Sequence, residues 1–210
     1  NLRNSIMAAM LDIEEHLRAA AADVLAKSFG TNQNDYLKWE NFRDRRVSRH
    51  RFSLSGILET LKKNLCSEKD PIKYYRENYG VIPPWILFKG TYFSTLINFI
   101  RLFKGGQKRA VIQKLYPIAQ QEIDSPYVKK LFSDTLSMCL EYRNLAAHGG
   151  RVYNYNPNSR IQVSEELFQI MPSAKGQYDG SDISQGFTQL LFALSFFSYD
   201  NPHTEISKTF

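Results

Sequence analysis

The chain has 210 residues and a formal net charge of +6, from 27 Lys and Arg against 21 Asp and Glu. Apolar residues make up 43% and charged residues 23%, which excludes the disordered and collagen-like classes and is typical of a globular protein. This length fits one large domain better than two that each need a core, so we expect a single helical domain over residues 1–210. Since the chain opens on Asn rather than Met, we also expect an N-terminal element upstream of it.

The sequence argues against a membrane protein, a secreted protein and a metal protein. The densest apolar stretch, residues 190–197, is far shorter than the roughly 18–20 residues that a membrane-spanning helix needs. Residues 12–15 include three acids where a signal peptide needs an apolar core. The two cysteines, Cys66 and Cys139, form no CxxC pair and have no paired histidines nearby. We therefore expect a cytoplasmic protein with no metal, no cofactor and no membrane partner.

Glycine, proline and capping residues divide the first part of the chain into helices. Apolar residues recur at helical spacing over residues 2–25, and Gly30 is placed to end that helix. Ser53 is placed to cap a second helix. Asp and Pro at residues 70–71 are placed to open a short third helix, which Gly80 ends.

The middle of the chain predicts one long buried helix. Residues 83–103 begin with two prolines and are apolar almost throughout, and two glycines follow at residues 105–106. This pattern predicts a single helix through the centre of the core. Another helix is predicted over residues 107–116, where Pro117 halts it.

The last part of the chain predicts two more helices and one ambiguous element. An apolar stripe that begins at Val128 predicts a helix running toward Gly149. Residues 165–171 fit a helix or a strand, and residues 181–182 (Ser-Asp) can cap a last helix that runs through Phe197. No period-two run of useful length occurs, so the predicted fold class is an all-α helical bundle.

Polar residues gather at the end of the helix that begins near Val128. The segment EYRNLAAHGGRVYN places Arg143, Asn144, His148 and Arg151 around this helix end. On an ideal helix Arg143 continues the apolar stripe, whereas Asn144 and His148 share a neighbouring face. Burying an unpaired guanidinium is costly, so Arg143 needs an anionic partner: a carboxylate of its own chain, one from a second subunit, or a bound phosphate.

His148 precedes two glycines and is therefore expected in the last turn of the helix. The exposed carbonyls there favour an imidazolium, which makes His148 a candidate proton donor. Taken singly, an Arg or a His near a helix end more often has a structural role. The spacing alone does not establish catalysis.

The pattern Arg-Asn-x-x-x-His at the end of a late helix resembles the R-N-x-x-x-H signature of HEPN domains. Three blocks in order resemble the abortive-infection (Abi-like) branch of that superfamily: DIEEHLR in the opening helix, PPWILFKGTYFSTLINFIRL in the centre, and RNLAAHGGRVYN at the motif. The similarity extends over most of the chain. It implies a HEPN-like helical bundle with extra helices, assembled as a homodimer in which two motif helices share a cleft.

The resemblance also implies an activity, because active relatives are metal-independent endoribonucleases. His148 would then move the proton when a ribose 2′-hydroxyl attacks the adjacent phosphate, or would protonate the leaving 5′-oxygen. Arg143 would stabilise the developing charge, and Asn144 would orient the histidine or the phosphate. The implied context is phage defence or a toxin, with RNA as substrate and an antitoxin or a phage-derived protein as a further partner.

A cluster of basic residues lies well before the motif. Residues 43–51 contain five arginines and one aspartate. Arginine forks suit phosphate oxygens and base faces, so a single-stranded RNA path is predicted along Arg43, Arg45, Arg46 and Arg49. The alternative is a solvated surface loop, which a charge run alone favours.

The residues just after the motif are further candidates for RNA binding. Arg151 can contact phosphate, and Tyr153 and Tyr155 can stack on bases. The alternative for these tyrosines is packing against the helical bundle.

The sequence leaves two functions of other classes open. One is a catalytically inactive HEPN module that binds RNA or a protein partner, because one fold serves many roles. The other is a structural dimerisation domain in which Arg143 pairs with a carboxylate such as Glu14 or Glu15. If Arg143 and His148 open onto a basic cleft, the enzyme is favoured; if Arg143 is sealed in an ion pair, the structural domain is favoured.

Overall fold

A computed structural model of the chain describes residues 1–44, 53–162, 164–170, 186–199 and 201–208. This described part contains helices and no strand, with one isolated bridge between Phe42 and Phe103. The predicted all-α fold class is therefore confirmed. The residues form two compact units. The first unit comprises Asn1–His16 and the chain from Ile112 onward, and the second unit comprises Leu17–Val111.

The opening helix, α1, spans Leu2–Phe29 as the sequence predicts. It ends because Gly30 takes a left-handed conformation with φ +83°, and the Gly30 N–H donates to the Ala26 carbonyl at 2.9 Å. Its first half belongs to the first unit and its second half to the second unit.

The second unit continues with short helices, and the predicted capping residues lie at the ends of two of them. They are α2 (Gln33–Tyr36), a 3-10 turn (Trp39–Asn41), α3 (Leu54–Leu65) and α4 (Ile72–Tyr79). Ser53 Oγ accepts a hydrogen bond from the Gly56 N–H at 3.1 Å and so caps α3. Asp70 Oδ1 accepts one from the Tyr74 N–H at 3.1 Å at the start of α4, and Gly80 ends that helix with φ +66°.

The prediction of one long central helix is wrong, because the chain breaks it into α5 (Pro84–Leu87), a 3-10 turn (Phe88–Gly90) and α6 (Phe93–Arg101). At Gly90 the backbone passes so close to α4 that a Cβ atom would stand 2.8 Å from Ile72 Cδ1. The next carbonyl, that of Thr91, accepts a hydrogen bond from Arg18 Nη2 at 2.9 Å. These tertiary contacts end the helix although most of the apolar residues in the segment are buried, with Trp85 and Tyr92 exposed.

The remaining helices are α7 (Gly105–Leu115), α8 (Pro126–Ala147), α9 (Glu165–Ile170), α10 (Gly186–Leu194) and α11 (Asn201–Ser207). In the first unit, α8 packs against α9 and α10, and α10 packs against α11. The ambiguous element is thus helical.

The end of the chain differs from the prediction. The expected cap at residues 181–182 lies outside the described residues. Helix α10 ends at Leu194 rather than Phe197, and Ser195 Oγ donates to the Phe192 carbonyl at 2.7 Å just after it. The Ser198 N–H donates to the Leu115 carbonyl at 2.8 Å, so a contact distant in sequence sets the turn before α11. In the described part, no helix combines the length and apolar character needed to cross a bilayer.

Candidate functional site

The candidate site lies at the C-terminal end of α8, in the first unit. At the other end of this helix, Ser125 Oγ accepts a hydrogen bond from the Tyr127 N–H at 3.2 Å, and Pro126 occupies the first turn. The predicted apolar stripe is buried, and it extends to Tyr142 and Ala146 on either side of Arg143. Packing of this stripe fixes the rotation of α8 about its axis and so the direction in which the motif side chains point.

Two glycines end α8 in a defined turn. Gly149 has φ +75°, and its N–H donates to the Ala146 carbonyl at 3.3 Å. The Gly150 N–H donates to the Leu145 carbonyl at 2.9 Å, which completes a Schellman cap. A Cβ atom on Gly150 would stand 2.2 Å from Leu145 Cδ1, so the leucine side chain covers the turn. The glycine pair therefore sets the backbone beside His148.

The cap leaves the imidazole of His148 exposed to solvent. His148 is the C-cap residue, and its backbone N–H donates to the carbonyl of Asn144 at 3.0 Å. Its ring has no hydrogen-bond partner among the described residues. The side chain of Asn144, four residues earlier in the motif, is also exposed. The carbonyl dipoles at a helix C-terminus favour positive charge nearby, and the exposed imidazole is accessible to a ligand.

Arg143 is half-buried at the edge of the apolar stripe. Its Nη1 donates to Asn144 Oδ1 at 3.5 Å, at the long limit of a hydrogen bond, and its Nε is buried with no acceptor among the described residues. No described carboxylate forms an ion pair with it. The alternative in which Glu14 or Glu15 seals Arg143 is therefore not the arrangement in the described part of the chain.

A further cation, Arg3, lies against the same turn. Arg3 Nη1 is 3.4 Å from the position that a Cβ atom of Gly149 would occupy. A positive side chain is favourable beside the last carbonyls of a helix. The sequence does not indicate Arg3, because Arg3 and Gly149 lie far apart in the chain and no local pattern links them.

The other predicted RNA-binding residues are only partly described. Arg151 and Tyr153 are exposed just after the cap, and Tyr153 keeps 60% of its surface accessible. Arg43 lies in the second unit, where its backbone N–H donates to the Leu102 carbonyl at 2.8 Å. Three members of the predicted path lie outside the described residues: Arg45, Arg46 and Arg49. The path along residues 43–51 stays a prediction.

A carboxylate that the sequence analysis also missed ties the loop after the motif to α8. Glu141 Oε2 accepts hydrogen bonds from the Tyr155 hydroxyl at 3.0 Å and the Asn158 N–H at 2.7 Å. Glu141 Oε1 accepts one from the Ser159 N–H at 2.9 Å. We call this arrangement the Glu141 clasp. Its only signal in the sequence is an acid two residues before Arg143, inside the motif segment.

Titration properties follow from the contacts in the Glu141 clasp. Partial burial acts to raise the pKa of the Glu141 carboxyl, but hydrogen bonds from Ser159, Asn158 and Tyr155 outweigh it and hold that pKa below its ordinary value. Burial, followed by the hydrogen bond to Glu141 and its charge, raises the pKa of Tyr155. Glu141 is therefore an ionised structural group rather than a base available to substrate.

Metal-binding and thiol groups are not gathered at this site. Across the described ranges, no group of three or more His, Cys, Asp or Glu side chains is placed to hold a metal ion. Cys139 lies on the buried face of α8, and burial raises the pKa of its thiol to about 12, which keeps the thiol protonated and unreactive. The groups that can act on a ligand here are an imidazole, an amide and guanidinium groups.

The chain matches a family model described as Abi-like protein over residues 1–154, which is more than half of its length. The matched segment runs from α1 to the loop that follows α8, so it contains the whole motif. No curated protein and no solved structure matches the chain.

Proposed function

The chain belongs to the Abi-like protein family, and from this membership we propose that it is a HEPN-type endoribonuclease that cleaves RNA at the C-terminal end of α8. Membership of the family points to abortive infection, a defence against phage. The R-N-x-x-x-H motif of Arg143, Asn144 and His148 supports the HEPN placement, and the all-helical fold agrees with it.

The observation that carries the proposal is that the Arg143 guanidinium has no carboxylate partner among the described residues. A half-buried arginine with a structural role is usually matched by a carboxylate, because shielding an unpaired charge from water is costly. Here the described residues supply only the long contact to Asn144, and Nε is buried without an acceptor. A phosphate offers the acceptor oxygens that a guanidinium fork fits, and RNA presents one at every nucleotide.

The proposed reaction is an internal transesterification of the RNA backbone. A neutral His148 imidazole removes the proton from a ribose 2′-hydroxyl, whose oxygen forms a bond to the adjacent phosphorus. The bond from phosphorus to the 5′-oxygen breaks, and a protonated imidazole gives its proton to that leaving oxygen. The products are a 2′,3′-cyclic phosphate and a 5′-hydroxyl. Arg143 stabilises the charge that develops on the phosphorus-bound oxygens, and Asn144 orients the phosphate or the histidine.

Dimerisation would supply the second proton-transfer group. The reaction needs a proton acceptor and a proton donor, and the motif provides one imidazole per chain. A homodimer in which two α8 ends face each other would bring both to one phosphate. Arg3 and Arg151 would then contact the RNA backbone on either side of the cleft, and an antitoxin or a phage-derived protein that covers the cleft would control access.

Incubation of the purified protein with mixed RNAs in EDTA tests the proposal. We expect cleavage in EDTA because the proposed catalytic groups are side chains, and 2′,3′-cyclic phosphate ends because the nucleophile is the ribose 2′-hydroxyl. Light scattering at micromolar concentration is expected to show a dimer. RNA that is bound but left intact would instead identify an inactive HEPN binding module, and a monomer that cleaves RNA would rule out the shared site.

A further inference from the structure

An open groove lies between the loop after the motif and the start of α10, within the first unit. Its volume is about 300 Å³, at the small end of the range for ligand pockets. Six of the residues that line it are Tyr153, Asn154, Tyr155, Asn156, Phe187 and Thr188. None of the described residues that line the groove is charged.

We propose that this groove is a subsite for one unpaired nucleobase of the RNA substrate. The proposal rests on the endoribonuclease function and deepens it. It assigns base recognition to the loop after the motif, whereas Arg143 and His148 act on the phosphate.

The groups in the groove match what a base offers. Tyr153 is 60% exposed, and its ring contacts no other described aromatic ring. The amides of Asn154 and Asn156 are exposed and have no hydrogen-bond partner among the described residues. A nucleobase has a flat face that stacks on tyrosine, and its edge carries the donors and acceptors that an asparagine amide can pair with. Proteins that recognise single-stranded RNA use this combination.

The charge distribution separates a base site from a phosphate site. A groove for phosphate needs cationic side chains, and the described lining has none. A cation is available just outside it, since Arg151 precedes Tyr153 by two residues and is exposed. An RNA strand with its phosphate at Arg151 and its base in the groove satisfies both features.

The inner wall of the groove is already fixed without a ligand. The Glu141 clasp holds the Tyr155 hydroxyl, and the Tyr142 ring packs edge-on against Tyr155 with centroids 5.4 Å apart. Gly186 has φ +68°, and a Cβ atom there would stand 3.2 Å from the Tyr155 carbonyl oxygen. Because Gly186 has no Cβ atom, its backbone can approach the backbone of Tyr155 closely where both line the groove. A preformed wall lowers the ordering cost of binding.

The test measures binding of short RNA homopolymers of A, C, G and U by fluorescence anisotropy, with an abasic strand of equal length. All strands carry 2′-O-methyl groups, which remove the attacking hydroxyl and prevent cleavage. We expect wild-type protein to prefer one homopolymer over the abasic strand. Tyr153→Ala is expected to weaken binding of that homopolymer by roughly 5- to 150-fold, the effect of one stacked base, and to leave abasic binding unchanged.

Two variants and one control sharpen the result. Tyr153→Phe keeps the stacking face and is expected to retain most of the affinity. Asn156→Asp exchanges a donor for an acceptor and is expected to change which base is preferred. Tyr92→Ala, at a tyrosine of the second unit that is 78% exposed, is expected to change nothing.

The outcomes separate this proposal from the endoribonuclease proposal. If Tyr153→Ala weakens the binding of base-carrying and abasic strands equally, or weakens the binding of neither, the groove is not a base subsite. This conclusion holds even when the protein cleaves RNA in EDTA. An unchanged base preference in Asn156→Asp also counts against it. Base-dependent binding that Tyr153→Ala removes, in a protein that cleaves no RNA, supports the groove and overturns the endoribonuclease.

Discussion

The Glu141 carboxylate accepts a hydrogen bond from the Tyr155 hydroxyl at 3.0 Å and thereby connects the helix that carries the motif to the loop that lines the groove. Glu141 lies two residues before Arg143 on α8, so the same turn of helix presents the guanidinium and anchors the loop. The proposed cleavage centre and the proposed base subsite therefore share one rigid support.

Glu141→Gln is expected to lower the free energy of unfolding at pH 7 by about 1–2 kcal/mol. The carboxylate accepts hydrogen bonds from backbone N–H groups, and in the variant an amide NH₂ group, which is itself a donor, takes the place of one of its oxygens. The folded-state pKa of Glu141 is below its ordinary value. The carboxylate therefore contributes fully above the ordinary glutamate pKa of about 4.3 and loses its contribution as pH falls through the lower, folded-state pKa. Urea unfolding at a series of pH values should show wild type and variant converging in acid.

The control for this measurement is Glu77→Gln, at an exposed glutamate 3.9 Å from Lys73. We expect a change within about 0.5 kcal/mol there, as is usual for surface ion pairs. A constant difference between wild type and Glu141→Gln from pH 7 to strong acid would contradict the role given to the ionised clasp.

His148→Ala is expected to leave folding nearly unchanged, since the side chain is exposed, and to lower the single-turnover rate of RNA cleavage by roughly 10²–10⁴-fold. RNA affinity should stay near normal, because one imidazole contributes little to binding. The matched control is His16→Ala. The His16 ring stacks on the Tyr199 ring with centroids 3.8 Å apart and has no part in the proposed reaction. Full activity of the His148 variant at matched purity would rule out the proposed chemistry.

Arg143→Met separates a ligand-binding arginine from a structural one. Methionine keeps an apolar stem of similar length, so we expect the free energy of unfolding to change by less than about 1 kcal/mol while cleavage is lost. Breaking a buried ion pair would instead cost about 3–5 kcal/mol. Urea unfolding and a cleavage assay on the same preparation give both numbers. A large loss of stability would instead indicate that Arg143 has a structural role in an ion pair.

Arg3→Gln and Arg151→Gln are each expected to reduce the slope of log affinity against log salt for single-stranded RNA by about 0.7, the contribution of one phosphate contact. The rate at saturating RNA should not change.

The same measurement tests the predicted path by neutralising Arg43, Arg45, Arg46 and Arg49. Lys27→Gln is the control, at a lysine paired with Asp23 at 3.0 Å. An unchanged slope in the four-arginine variant would make residues 43–51 an ordinary solvated loop.

Gly149→Ala is expected to lower the free energy of unfolding by about 1–2 kcal/mol, because φ +75° is strained for any residue with a Cβ atom. Gly149→Asn should cost less, since asparagine tolerates the left-handed region. Gly106→Ala in α7 is the matched control, because a Cβ atom there meets no atom within 4 Å and alanine favours a helix. Equal stability of the two alanine variants would show that the cap at Gly149 is not needed.

Much of the helical pattern could be predicted from sequence because its causes are local. The cap at Ser53 and the left-handed glycines at Gly30, Gly80 and Gly149 act on the turn next to them, so short patterns reveal them. The buried stripe of α8 was equally visible, because burial of one helix face imposes a regular spacing. The break in the central helix at residues 90–92 could not be predicted, because it depends on Ile72 and Arg18, which lie elsewhere in the chain.

For the site, the sequence by itself determined the motif of Arg143, Asn144 and His148, its place at a helix end, and membership of the Abi-like protein family. Only the tertiary structure decided that Arg143 lacks a carboxylate in the described part of the chain, that Arg3 lies against the cap, and that Glu141 holds the loop after it. The physical reason is that a helix fixes the spacing of its own side chains, whereas the partner of a charge depends on which distant segments pack beside it.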